Sequence, residues 1–170
     1  MSDLRSSPIP APAEHDHRRG GERQSRSELL IVYADFECPF CAALDLRLRE
    51  LDAEIVFRHF PVRSSHPRAM PAACAAEAAA LQGRFWEMHD SLFSDQARLE
   101  DPHLWARARE LGLDLDRFDA DRRGEAVRAR VKRDFRGGVR GGVVTTPSVL
   151  RWLDGAAQPI AAADVARPPG

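Results

Sequence analysis

The sequence lacks the features that several classes of protein require. Lys and Arg total 25 and Asp and Glu total 26, so the net charge is −1 and no basic excess indicates a nucleic-acid partner. No apolar run approaches the roughly 20 residues of a membrane-spanning helix, and the N-terminus shows no basic-then-apolar secretory signal. Three cysteines are too few for a disulfide-stapled secreted domain. The composition therefore predicts a cytoplasmic globular protein without a membrane span.

The first 27 residues differ in composition from the rest of the chain. Between Ser6 and Ser27 they are rich in Pro, Arg, His and Gly and hold scarcely an aliphatic side chain. Such a segment cannot bury enough apolar surface to offset the entropy cost of ordering, so we predict a disordered tail over residues 1–27. His15 and His17 could touch a metal ion there, but solvated histidines are the preferred interpretation. We predict no metal site.

The most informative feature of the chain is the pair of cysteines in Cys38-Pro39-Phe40-Cys41. It follows an apolar run over 29–36, which predicts a buried strand, and it opens a segment over 39–51 with leucines at helical spacing. A helix N-terminus carries partial positive charge and unpaired N–H groups, and both favour a thiolate. Two cysteines three positions apart can also close a small disulfide. The motif therefore predicts thiol–disulfide chemistry, with Cys38 as the exposed nucleophile.

The order of the predicted elements indicates an α/β fold. A second strand over 54–60 completes a βαβ unit with parallel strands and a right-handed crossover. The next stretch is predicted to be helical throughout, with helices over 69–81, 85–93, 101–112, 116–122 and 125–136, the last closed by Gly137-Gly138. A strand over 148–152, a turn at Asp154-Gly155 and a partner strand over 158–160 follow. The Arg-Gly run over 136–142 is interpreted as a flexible link and not as an RNA-binding segment.

The cysteine pair has two other possible interpretations. A structural zinc site needs four ligands at recognisable spacing, and no second C-x-x-C or H-x3–5-H pair follows. A purely structural pair is the other alternative. Redox chemistry is the preferred interpretation, in which Cys38 forms a mixed disulfide and Cys41 resolves it.

Thr146-Pro147 is the second functional signal. A proline that enters a strand late in an α/β chain is unusual, because proline cannot donate to the strand ladder. A cis peptide bond there would turn the Thr146 backbone outward, where it could pair with a substrate strand. Taken alone, the motif is better explained by a trans proline at the start of an edge strand. Its position after the C-x-x-C segment favours the functional interpretation.

These motifs carry a resemblance to a known family. The segment from Tyr33 to Cys41, the strand from Phe57 to Pro61, the helical region and the segment from Gly142 to Pro147 resemble the DsbA-like branch of the thioredoxin superfamily. The resemblance implies a thioredoxin-like fold (28–63 and 138–170) with an inserted all-helical subdomain (64–137). It implies that Cys38 is the nucleophile and Cys41 the resolving cysteine. It also implies that Pro147 is a cis-proline facing them and that Thr146 tunes the thiolate.

Four residues near these motifs have competing interpretations. Asp35 and Glu37 flank the cysteines, and we expect their carboxylates to oppose a thiolate by like-charge repulsion, with a solvated Glu37 as the alternative. His59 is better explained as a core histidine than as a catalytic one. Cys74, among alanines, is better explained as a small buried hydrophobic residue than as a third redox thiol.

The sequence thus predicts a monomeric thiol–disulfide oxidoreductase that needs no cofactor and exchanges disulfides with protein or small-molecule thiols. One alternative is an isomerase or transferase of the same fold that uses glutathione, although such proteins often lack the second cysteine. The other is a non-enzymatic regulatory or interaction domain that retains the motif.

Overall fold

A mixed five-stranded sheet forms the centre of the protein. The computed structural model describes residues 7–20 and 28–165. The strands are β1 (His17–Arg19), β2 (Glu28–Ala34), β3 (Ala53–His59), β4 (Ser148–Leu153) and β5 (Ala156–Ile160), in the spatial order β1-β3-β2-β4-β5. β2 and β3 are parallel and the other neighbouring pairs are antiparallel. The α/β fold class predicted from the sequence is confirmed.

One helix connects the parallel strands and five more precede β4. The connecting helix is α1 (Pro39–Leu48). The five that follow β3 are α2 (Ala69–Ala80), α3 (Phe85–Ser94), α4 (Asp101–Glu110), α5 (Leu115–Arg123) and α6 (Glu125–Arg140). A short 3-10 turn, Ala162–Asp164, follows β5. The β4–β5 hairpin turns at Asp154 and Gly155, both at positive φ (51° and 78°), as the Asp-Gly sequence predicts.

Both faces of the sheet are buried. Apolar residues accordingly follow one another along β2 without alternating with polar ones. Leu30, Val32 and Ala34 face the larger core, which contains residues of α1, α2 and α3. Ile31 and Tyr33 face a second, smaller core on the opposite side of the sheet. Strands covered on both sides read as continuous apolar runs, which explains the composition of β2.

Helix α6 covers part of the second face and extends further than the sequence predicts. The pair Gly137-Gly138 predicts that the helix ends there, yet α6 continues to Arg140. A Cβ atom at Gly138 would lie 2.9 Å from the Tyr33 ring and 3.0 Å from the Phe60 ring. Gly138 therefore allows a close approach of helix and sheet, and the cost of a glycine within a helix is offset by that packing.

Residues 7–20 are ordered against the sheet, which corrects the prediction of a disordered tail for this part of it; residues 1–6 and 21–27 lie outside the described range. Ile9 belongs to the second core, and β1 pairs with β3. Arg58, which is buried in β3, holds this segment against the sheet by hydrogen bonds and an ion pair. Its guanidinium donates to Asp16, to the carbonyls of Pro10 and Ala11, and to the Tyr33 hydroxyl.

A second set of contacts holds the same segment to the helical side. His17 Nε2 and His59 Nε2 each lie 2.7 Å from Oε1 of Glu77, and the His17 ring stacks on Phe85 with centroids 3.4 Å apart. These two hydrogen bonds hold the pKa of Glu77 well below its usual value, although burial opposes them. His59 is thus a hydrogen-bonded core residue.

We expect Asp16→Ala to destabilise the protein by about 3 kcal/mol or more, since loss of one partner of a buried ion pair leaves an uncompensated charge. The pair is 2.9 Å apart, with side chains 3% and 1% exposed. Burial would raise the pKa of Asp16, but hydrogen bonds from Arg58 and the Ala13 N–H hold it below its usual value. Urea unfolding measures the change, with the exposed neighbour Glu14→Ala as the matched control. Equal stabilities for the two variants would show that the segment does not dock.

Candidate active site

The two cysteines lie where β2 passes into α1. Cys38 is the N-cap residue, with extended backbone angles (φ −80°, ψ 119°), and Pro39 occupies the first turn, where a missing N–H costs nothing. The N–H of Cys41 donates to the Cys38 carbonyl at 3.1 Å. Both sulfurs therefore lie at the positive end of the helix, and all three cysteines of the chain are free thiols.

Cys38 is more enclosed than the sequence predicts: its residue surface is only 3% exposed, whereas Phe40 beside it is 73% exposed. The segment before β4 contacts this cysteine. Cys38 Sγ lies 3.6 Å from the carbonyl oxygen of Thr146, and the Thr146–Pro147 peptide bond is cis. The structure thus brings together all four residues proposed for the site: Cys38, Cys41, Thr146 and Pro147.

The environment of Cys38 favours its ionised form. A hydrogen bond from the Cys41 thiol is the largest of the effects that lower the pKa of Cys38, to about 5. Burial opposes this shift, while hydrogen bonds with the Cys41 and Phe40 N–H groups and with Thr146 reinforce it. A thiol with this pKa is ionised at neutral pH, which is the state required for nucleophilic attack.

Cys41 has the opposite character. Burial is the main cause that raises its pKa far above the usual value, and its hydrogen bond to Cys38 acts in the same direction. The backbone N–H of Asp35 donates to Cys41 Sγ at 3.5 Å, which opposes the shift only in part. The two thiols are therefore unequal: their surroundings favour the thiolate at Cys38 and the protonated thiol at Cys41.

The carboxylates of Asp35 and Glu37, which were expected to oppose a thiolate, are each engaged in other contacts. Asp35 accepts hydrogen bonds from the N–H groups of Glu37 and Val62 and contacts His66 Nδ1 at 2.8 Å. Glu37 accepts from both the backbone and the guanidinium of Arg68. Neither carboxylate is among the main influences on the pKa of Cys38. They fix the loop to the segment after β3.

Gln96, which follows α3, is a site residue that the sequence analysis missed. Its side-chain amide donates to the carbonyls of Phe36 (2.8 Å) and Cys38 (2.9 Å). It therefore ties the cysteine loop to the helical region. No local motif marks this glutamine, because the contact spans about 60 residues of sequence.

Cys74 takes no part in this arrangement. It is buried in α2, and that burial raises the pKa of its thiol to about 11. A thiol that stays protonated at neutral pH is a poor nucleophile, so Cys74 behaves as the small buried hydrophobic residue that the sequence predicts.

Two clusters of the described residues have the donor types that a metal ion would use. Each brings its ligand atoms within 4.8 Å of one another; they are His17, His59 and Glu77, and Asp45, His89 and Asp90. Direct hydrogen bonds or ion contacts already link these side chains in both clusters. Neither includes a cysteine of the site.

The thioredoxin-like class is defined by two features that this structure has. One is the order of the strands in the sheet, and the other is a C-x-x-C pair at the start of the helix that follows a central strand.

None of the helices within residues 7–20 and 28–165 has the length and hydrophobicity needed to cross a membrane.

Comparison with known proteins identifies the family. The model of the DSBA-like thioredoxin domain matches residues 29–160, and the chain belongs to that family. Among solved structures, a thioredoxin-like oxidoreductase from Silicibacter pomeroyi superposes with a TM-score of 0.73 at 22% identity, over 91% of this chain and 94% of its own. The thiol-disulfide exchange protein alpha-DsbA2 from Wolbachia pipientis gives 0.69 at 18% identity, over 81% and 76%. Both likenesses concern the fold.

The curated relatives with similar sequences are much longer proteins. A Na(+)/H(+) antiporter NhaA 1 of Mycolicibacterium gilvum is 45% identical over 118 residues, which cover 66% of this chain and 19% of the antiporter. An NhaA antiporter of Herminiimonas arsenicoxydans is 43% identical over 145 residues, which cover 82% and 22%. The chain thus spans about a fifth of the length of these relatives.

Proposed function

We propose that this chain is a thiol–disulfide oxidoreductase that acts on protein or small-molecule thiols and disulfides through Cys38 and Cys41. The observation that carries the proposal is the inequality of the two thiols: the pKa of Cys38 is lowered to about 5, while that of its neighbour is raised. A structural pair of cysteines has no need of such a difference. Family membership supports the same chemistry.

The proposed reduction of a substrate disulfide has two steps. The Cys38 thiolate attacks one substrate sulfur, forms a mixed disulfide and releases the other substrate sulfur as a thiolate. The Cys41 thiol then loses its proton and attacks Cys38 Sγ, which closes the Cys38–Cys41 disulfide and releases the second substrate thiolate. The reverse sequence oxidises a substrate dithiol. The cysteines carry both electrons, so no bound cofactor is needed.

Thr146 and Pro147 are proposed to position the substrate. The Thr146 carbonyl lies 3.6 Å from Cys38 Sγ, so a peptide whose cysteine is bonded to Cys38 would run beside this backbone. Extended peptides are commonly held by hydrogen bonds to the backbone of the protein that binds them.

The test is catalysis of insulin reduction by dithiothreitol. We expect turnover well above the uncatalysed rate, whereas a non-enzymatic interaction domain would give none. A glutathione-dependent isomerase or transferase would require glutathione for activity, and Cys41 would be dispensable in it. The cytoplasmic location stays a prediction from the sequence.

We expect Cys41→Ser to accumulate mixed disulfides with substrates, because the second step has lost its nucleophile while the thiolate of Cys38 remains. Insulin chains bound to the variant should be visible by mass spectrometry and should be released by excess dithiothreitol. Cys74→Ala is the matched control and should trap nothing. If Cys41→Ser reacts with iodoacetamide at Cys38 yet traps no insulin, protein disulfides are not its substrates.

A further inference from the structure

A groove opens beside the active site on the side of the second core. Its floor is apolar and its volume is about 600 Å³, within the usual size of ligand pockets. We name it the α2–α6 groove; its apolar lining comes from the segment after β3, from α2, from α6 and from the segment before β4, and includes Phe60, Val62, Met70, Phe135, Val139 and Val144. Phe60 and Phe135 pack together, with ring centroids 4.6 Å apart, so the floor is preformed.

Charged residues of one sign surround this apolar floor. Arg63, Lys132 and Arg136 line the groove, and no carboxylate does so. Within the described residues none of the three side chains makes a hydrogen bond or an ion pair, although most other arginines of the helical region do. Three unpaired cations around an apolar surface are complementary to a ligand that carries both acidic and apolar groups.

The groove is linked to the reactive sulfur by the segment before β4. Val144, which is 88% exposed at its edge, lies two residues before Thr146, whose carbonyl is 3.6 Å from Cys38 Sγ. At the far side of the cysteine loop, Val62 donates its N–H to Asp35. An extended chain advances about 3.3 Å per residue. Substrate residues about two to four positions from the reacting cysteine would therefore reach the groove.

We propose that the α2–α6 groove selects peptide substrates that carry aliphatic and acidic side chains near the reacting cysteine. Aliphatic side chains would cover the floor between Phe135 and Val144, and carboxylates would pair with Arg63, Lys132 and Arg136. The inference rests on the proposed function, since it concerns the substrate that Cys38 attacks.

The test uses peptides whose single cysteine carries a pyridyl disulfide. Cys38 attacks the peptide sulfur and releases thiopyridone, whose absorbance gives the rate; Cys41 then displaces the peptide thiol and closes the enzyme disulfide. One peptide has leucine, valine and two glutamates around the cysteine. The matched peptide keeps the leucine and valine and has two lysines in place of the two glutamates. At low salt we expect the acidic peptide to react about tenfold faster, a ratio consistent with several partly exposed ion pairs. The ratio of the two rates should approach one near 1 M salt, where the Debye length is about 3 Å and the ion pairs are screened.

Charge reversal in the groove locates the effect. The double variant Arg63→Glu/Arg136→Glu should reverse the preference, while Arg128→Glu, exposed on the same helix but outside the groove, should keep it. Replacing leucine and valine in the acidic peptide with serine should slow its reaction. Dithiodipyridine, which is small and uncharged, should react equally with all three proteins and shows that each variant is folded and active.

The outcomes separate this inference from the proposed function. If wild-type protein reacts with dithiodipyridine no faster than free cysteine does, the proposed function fails. If that reaction is fast but the two peptides react equally, or if Arg128→Glu alters the ratio as much as the groove variant, the groove does not select substrates. Equal peptide rates together with binding to anionic lipid vesicles that the groove variant loses would overturn the inference in favour of a membrane-facing surface.

Discussion

Replacing Cys38 with serine should reduce insulin turnover to the uncatalysed rate. The exchange reaction requires a thiolate, and the pKa of Cys38, about 5, makes this sulfur almost fully ionised at neutral pH. A serine hydroxyl is neither ionised nor able to form a disulfide. Neither remaining cysteine can replace it, because burial raises the pKa of both Cys41 and Cys74. The loss should therefore be complete and not partial.

The controls for this result are already present in the chain. Cys74→Ala, which places another alanine among the alanines of α2, should retain full turnover and an unchanged circular dichroism spectrum. Cys38→Ser should also remain folded, since its neighbours Pro39 and Cys41 keep the helix start intact. Normal turnover by Cys38→Ser would show that the nucleophile is wrongly assigned.

The elements that could be predicted from sequence are those fixed by local patterns. The apolar run of β2 and the helical spacing of leucines in α1 depend on neighbours in sequence. The Asp154-Gly155 turn depends on the left-handed conformation that these residues adopt readily. The cysteine pair is identified by its own spacing and by its place at a helix start. Each of these signals lies within a few residues of the structure it predicts.

The order of residues 7–20 could not be predicted from their own composition. The segment is polar, and its burial depends on Arg58, which lies 42 residues beyond Asp16 in the sequence. The feature that indicates the order of residues 7–20 lies in strand β3 and not in the segment itself. An arginine that is buried in a central strand requires a carboxylate partner, and Asp16 is that partner.

The remaining differences also arise from contacts distant in sequence. Glycine pairs ordinarily indicate the end of a helix. Within α6, position 138 is a glycine for another reason, because the rings of Tyr33 and Phe60 leave no space for a Cβ atom at Gly138. The buried Cys38 contacts Thr146, which lies 108 residues away in the sequence. Sequence reasoning therefore proposed the residues that the structure brings together at the site, but it did not predict the packing that sets their exposure.

The reduced protein should become more stable as pH rises from about 5.5 to 8, by about 1.4 kcal/mol per pH unit relative to Cys38→Ser. The folded pKa of Cys38 is about 5 and lies below that of an unfolded cysteine, about 8.5. Between these values the unfolded chain binds one more proton than the folded one, so stability increases with pH. The contribution is lost as pH falls through the folded pKa, and it is fully present only above the unfolded pKa.

Urea unfolding of the reduced wild type and of Cys38→Ser between about pH 5.5 and 8 measures the difference in their free energies of unfolding. Groups that titrate in both proteins contribute equally and cancel in this difference. Iodoacetamide alkylation of Cys38 gives the folded pKa independently and should titrate near pH 5. In Cys41→Ala the pKa should rise and the slope should begin at higher pH, because the largest stabilising hydrogen bond is absent. A stabilised thiolate favours the reduced protein, so the same free energy makes the Cys38–Cys41 disulfide a stronger oxidant, with about 30 mV for each 1.4 kcal/mol. A stability difference independent of pH would show that Cys38 is not ionised in the folded state and would remove the physical basis of its reactivity.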